Sequence, residues 1–133
     1  MKLKRLNEVL LSEYKPYQFK KIKERTIGLV GSARFKDHFL KIESLLQILH
    51  EKMVILCSMD GLLHKDQFSL DEWEALQRAC LKKLNMVEAI LVLDIEGYIG
   101  DHTREEIECA ENDLGKPVYY LSQLKSKENK GNP

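Results

Sequence analysis

Four short apolar runs, set apart by segments with helical periodicity, constrain this chain more than any other feature. They are Thr26-Ile-Gly-Leu-Val30, Met53-Val-Ile-Leu-Cys57, Ala89-Ile-Leu-Val-Leu93 and Val118-Tyr-Tyr-Leu121. Each is too brief for a helix and apolar at successive positions. Such runs read as strands buried on both faces. After the first, Gly31-Ser32-Ala33-Arg34 turns the chain. A helix then follows, with Phe35, Phe39, Ile42, Leu45, Leu46 and Leu49 on one face. The second run leads into a loop at 58–68 that contains Asp60-Gly61. Ser69 with Glu72 forms an S-x-x-E capping pattern there, opening a helix with core face Trp73, Leu76, Cys80, Leu84 and Val87. The third run enters a two-glycine loop, then a helix from near Thr103 to Gly115, and Pro117 opens the last strand.

Strands that alternate with helices make a parallel sheet covered on both sides. Right-handed crossovers favour the order 2-1-3-4. The expected fold class is therefore α/β: a flavodoxin-like or Rossmann-like three-layer domain with a short parallel sheet and an N-terminal helical arm. The arm spans 1–25, with apolar Leu3, Leu6, Val9 and Leu10 at helical spacing and Pro16 interrupting it. The α/β domain spans 26–121, and a polar, Lys-rich flexible tail 122–133.

A chain of 133 residues, 44% hydrophobic and 32% charged, supports one domain with its own core. Its formal net charge of zero argues against a general nucleic-acid binder. The arm is nevertheless basic, with eight Lys/Arg against three Glu in residues 1–25. It reads as a solvated helix face, or else as a weak contact for a phosphate or a partner. No apolar run approaches the roughly eighteen residues of a membrane span, and the N-terminus lacks a signal-peptide pattern. Cys57, Cys80 and Cys109 are odd in number and widely spaced, which indicates free thiols in a reducing, cytoplasmic setting. His38, His50, His64 and His102 share no ligand spacing with them. Neither a metal nor a cofactor is expected.

In an open parallel sheet ligands bind beyond the strands' C-terminal ends. That edge collects Gly31 to Arg34, Ser58 to Asp60, Asp94 to Glu96 and Asp101 to Glu106. The turn Gly31-Ser32-Ala33-Arg34 is either an anion site at a helix start or a plain turn with Ser32 as N-cap. Glu106 also carries two readings. Thr103-Arg-Glu-Glu106 matches a capping box, with Glu106 folded back on Thr103. Alternatively Glu106 is a carboxylate nucleophile at the active edge.

Glu106-Ile-Glu-Cys-Ala110, followed by Gly115-Lys116-Pro117, resembles the helix signature of the nucleoside 2-deoxyribosyltransferase family. Gly31-Ser32-Ala33-Arg34 is similar to the Gly-Ser-x-Arg turn of the related deoxynucleoside-monophosphate N-glycosidases. The resemblance covers about residues 26–121. It implies that Glu106 takes the deoxyribose, that Gly31, Ser32 and Arg34 contact the nucleotide, and that Asp94 meets the sugar. The chain departs from the pattern where the family keeps an acid–base residue, often Asp, because that position falls near Cys80. It is also shorter than the transferases and lacks a clear fifth strand.

The implied activity is an N-glycosyl hydrolase or transferase, which cleaves the base–deoxyribose bond of a nucleoside or its 5′-monophosphate through a glutamate nucleophile. The alternative is a non-catalytic nucleotide-binding or regulatory module on the same fold. Asp94, Glu96 and Asp101 are candidates for acid–base work or for holding sugar hydroxyls, Asp60 joins them at the same edge, and Tyr98 is placed to stack on a base. Each of these loop residues also has an ordinary solvated reading. A homodimer or larger assembly is expected, because four strands give little depth for a nucleoside pocket and the relatives complete theirs across an interface.

Overall fold

The computed structural model describes residues 3–57 and 65–126. Its sheet has four parallel strands in the order β2-β1-β3-β4, formed by β1 (Thr26–Gly31), β2 (Met53–Leu56), β3 (Ala89–Leu93) and β4 (Val118–Tyr120). The alternation of apolar runs and helices thus gives the expected flavodoxin-like architecture.

Strand residues alternate between two cores, as a period of two requires. Ile27, Leu29, Ala89, Leu91 and Leu93 enter one core, and Val30, Ile90 and Val92 the other. The first core is closed by α1 (Glu8–Tyr14), α2 (Lys36–His50) and the short α5 (Leu121–Leu124). On the opposite face, α3 (Leu70–Met86) and α4 (Asp101–Glu108) complete the second. The Ser69–Glu72 capping box opens α3: the Glu72 amide donates to Ser69 Oγ at 3.2 Å and the Ser69 amide to Glu72 Oε1 at 2.9 Å.

Three expectations need correction. The N-terminal arm is more than a solvated helix face. Leu6, Leu10, Tyr14, Phe19 and Ile22 are buried in the first core, while Leu3 and Val9 stay exposed. Its polar groups hold it to α2: Lys41 pairs with Glu13 at 3.0 Å, and Arg5 Nε donates to Ser44 Oγ at 3.0 Å. The segment 122–126 is not tail. Leu121 and Leu124 are buried, the Gln18 amide donates to the Leu124 carbonyl at 2.8 Å, and the Ser126 amide donates to the Pro16 carbonyl at 2.7 Å. Apolar side chains that find a core outweigh the polar composition around them. Finally, α4 starts at Asp101, with Gly100 as N-cap, so the helix is under way before Thr103.

The end of that helix explains the Gly-Lys pair in local terms. One π-helical turn, Cys109–Asp113, follows α4, and Gly115 then turns the chain in the left-handed region at φ 61°. Lys116 Nζ donates to the carbonyls of Asn85 (2.9 Å) and Val87 at the end of α3. A cation there satisfies carbonyls the helix leaves over.

Candidate functional site

The C-terminal end of β1, with Cys57 just after β2, opens into a pocket of about 420 Å³ between α3, α4 and the turn after β1. That size suits a small ligand. Gly31 brings β1 close to β3: a Cβ at its position would stand 3.2 Å from the Leu93 carbonyl oxygen and 3.2 Å from Phe39 Cζ. Ser32 and Ala33 continue the wall. Ser32 Oγ accepts from the Arg34 amide at 3.3 Å, so Ser32 does cap the short turn that leads into α2.

Glu106 lies on the pocket wall, half-buried, and does not fold back as the lid of a capping box. The Cys80 thiol, from α3, donates to Glu106 Oε2 at 2.6 Å. Thr103 is buried inside the helix and is not its cap. Burial pushes the Cys80 thiol well above the usual thiol range, and the adjoining Glu106 carboxylate adds to the effect. Cys80 is therefore a neutral hydrogen-bond donor at neutral pH.

The remaining sequence-derived residues divide. Gly31, Ser32, Tyr98, Asp101 and Glu106 all line the pocket. Arg34 stands beside it, its guanidinium 4.3 Å from the centre of the Tyr98 ring, with Phe35 edge-on to the same ring at 6.1 Å. Asp94 is engaged elsewhere. Its carboxylate accepts from the Ser122 amide at 3.0 Å and from Ser122 Oγ at 2.6 Å, a side-chain cap on the start of α5. Glu96 is an exposed turn residue in the left-handed region at φ 56°, with ψ 25°. Asp60 lies outside the described residues.

No family model, no curated protein and no solved structure matches this chain. The site therefore stands on its own geometry.

That geometry includes residues that sequence reading had not assigned to a site. Trp73, Gln77 and Cys80 of α3 line the pocket together with His102 and Glu106 of α4. Gln77 Nε2 lies 2.8 Å from His102 Nδ1, and the Trp73 ring stands edge-on to the imidazole at 5.6 Å. The two helices are thus bridged at two levels: Gln77 to His102, and Cys80 to Glu106. The spacing i, i+4 between His102 and Glu106, and between Trp73 and Gln77, was the available signal, since it places each pair on one helix face. Among the described residues no group of three or more His, Cys, Asp or Glu side chains is arranged to hold a metal ion.

Proposed function

We propose that this protein is an N-glycosyl hydrolase or transferase acting on a deoxynucleoside or its 5′-monophosphate, with Glu106 as nucleophile. The observation that carries the reading is the Glu106 carboxylate on the wall of the pocket, bonded to a neutral thiol and not spent on capping its own helix. Breaking the base–sugar bond builds oxocarbenium character at C1′. A carboxylate placed against that carbon stabilises the charge and forms a covalent glycosyl intermediate, as in retaining glycosidases. Water or a second base then releases the sugar. A thiol donor keeps the carboxylate oriented toward the pocket. Tyr98, packed between Arg34 and Phe35, offers an aromatic surface for the base. The Ser32–Arg34 turn supports a 5′-phosphate as part of the substrate. In this reading a second copy of the chain deepens the pocket, and the protein acts as a homodimer or larger assembly.

The second reading, a nucleotide-binding module without turnover, draws support from Asp94. Its carboxylate is tied to Ser122 and is thereby removed from acid–base work. One substitution separates the two. Glu106→Gln keeps size and hydrogen bonding but not the negative charge. It is expected to abolish release of free base from deoxynucleosides and their monophosphates, with the fold almost as stable in a thermal melt. Equal release by wild type and variant would remove Glu106 from the chemistry. Saturable nucleotide binding without release by either would favour the binding module.

A further inference from the structure

The base that leaves a nucleoside must accept a proton, because a neutral purine or pyrimidine is a far better leaving group than its anion. Two of the groups already described are committed elsewhere. Cys80 has its thiol hydrogen on Glu106, and Asp94 is bonded to Ser122. His102 is differently placed. It lies one helical turn before Glu106 on the same face of α4, lines the same pocket, and is exposed at its mouth. Two side chains of α3 fix its ring: Gln77 meets Nδ1 at 2.8 Å, and Trp73 packs edge-on at 5.6 Å.

The Gln77 amide suits an imidazole that exchanges a proton at Nε2. Turned so that its oxygen meets Nδ1, it accepts from an Nδ1–H that stays in place, and the ring keeps its position whether Nε2 carries a proton or not.

From this arrangement, and resting on the proposed function above, we propose that His102 is the acid that protonates the departing base. As the C1′–N bond breaks, its electron pair stays with the base nitrogen, and the imidazolium passes its Nε2 proton to the base. A Glu106 oxygen forms the bond to C1′. In the second half-reaction water, or the nitrogen of an incoming base, attacks C1′ and gives its proton to the neutral imidazole. The C1′–Glu106 bond breaks, its electron pair returns to the carboxylate, and both residues regain their starting state. Charge and protons balance over the cycle with no further reactant.

The test varies the leaving group. Natural substrates are the four common deoxynucleosides and their 5′-monophosphates. The activated substrates are 4-nitrophenyl 2-deoxy-β-ribofuranoside and its 5′-phosphate, which release a stable phenolate that needs no proton. His102→Gln is expected to lower kcat on the natural substrates by about a hundredfold or more, and on the activated ones by less than about threefold. Glu106→Gln is expected to lose both. His102→Asn serves as a second variant, with melts to confirm folding. A parallel loss on both substrate classes, or no loss on either, overturns the assignment of His102 and leaves the proposed function in place. Activity of Glu106→Gln on either class, or a wild type that cleaves neither, overturns the proposed function and this inference with it.

Discussion

The hydrogen bond between Cys80 and Glu106 concentrates the chemistry of the site at one pair of atoms. It is 2.6 Å long and joins a buried thiol to a half-buried carboxylate in a setting of reduced dielectric. A typical intramolecular hydrogen bond contributes about 0.5–1.5 kcal/mol net. Cys80→Ala is therefore expected to destabilise the fold by about 1 kcal/mol and, on the proposed function, to slow base release about tenfold, because the carboxylate loses its orientation. Cys80→Ser keeps a donor at the same place and is expected to stay near wild type in both respects. Chemical denaturation together with the base-release assay checks this. An alanine variant that matches wild type in both would show that the thiol orients nothing. Little of this pairing could be read from the chain. Cys80 sits at a core spacing on α3, and nothing local links it to a glutamate on another helix. Thr103-x-x-Glu106 even offers a competing local pattern. Gly100 starts the helix earlier and leaves that pattern unused. Asp94 was legible as a residue at the binding edge, whereas its engagement by Ser122 depends on how the chain returns after β4.

Among the elements, strands were the most legible, because a strand buried on both faces writes its apolar run directly into the sequence. Strand order followed from the handedness of the crossovers. Helix starts were legible where a capping box was the whole signal, as at Ser69. The side-chain ties between element ends were not. Glu88, just before β3, shows one. Its Oε1 accepts from the amides of Arg25 and Thr26 and from Thr26 Oγ1, each at 3.1 Å, and so pins the start of β1 beside β3. The backbone bonds from Thr26 and Arg25 hold the Glu88 carboxyl below the usual carboxylate range. A carboxyl depressed in the folded state adds stability above its unfolded value and loses it as pH falls through the folded one. Glu88→Ala is accordingly expected to be less stable than wild type at neutral pH, with the gap closing under acid conditions. Melts across an acid series would show this. A gap that persisted or widened in acid would mean that the ionised carboxylate is not the source.

Taken as one body, the molecule packs two cores on one thin sheet and leaves apolar side chains outside both. Leu70, Leu81 and Met86 of α3 are exposed, and Leu81 also borders the pocket. No helix among the described residues is long and apolar enough to cross a membrane. A second copy seated against the Leu70–Leu81 face of α3 would cover those two side chains and wall the pocket, in line with the assembly proposed above. Light scattering at micromolar concentration is expected to give at least twice the chain mass of 15.5 kDa. A strictly monomeric mass would count against that assembly. The helical spacing of residues 3–13 was legible and their destination was not, since an amphipathic stripe looks alike whether it faces its own sheet or a neighbour.

The closure between the two ends of the described chain also governs when the protein can fold. Tyr17 forms an antiparallel bridge with Lys125, Gln18 donates to Leu124, and Ser126 donates to Pro16. The arm precedes its clasp along the chain, so Leu6, Leu10 and Phe19 are made long before α5 exists to help hold them in place. Contacts so distant along the chain form late and slow the search for the native state. Until α5 is in place the arm rests on its contacts to α2 and the sheet, and the segment after β4 then closes over it like the latch on a case.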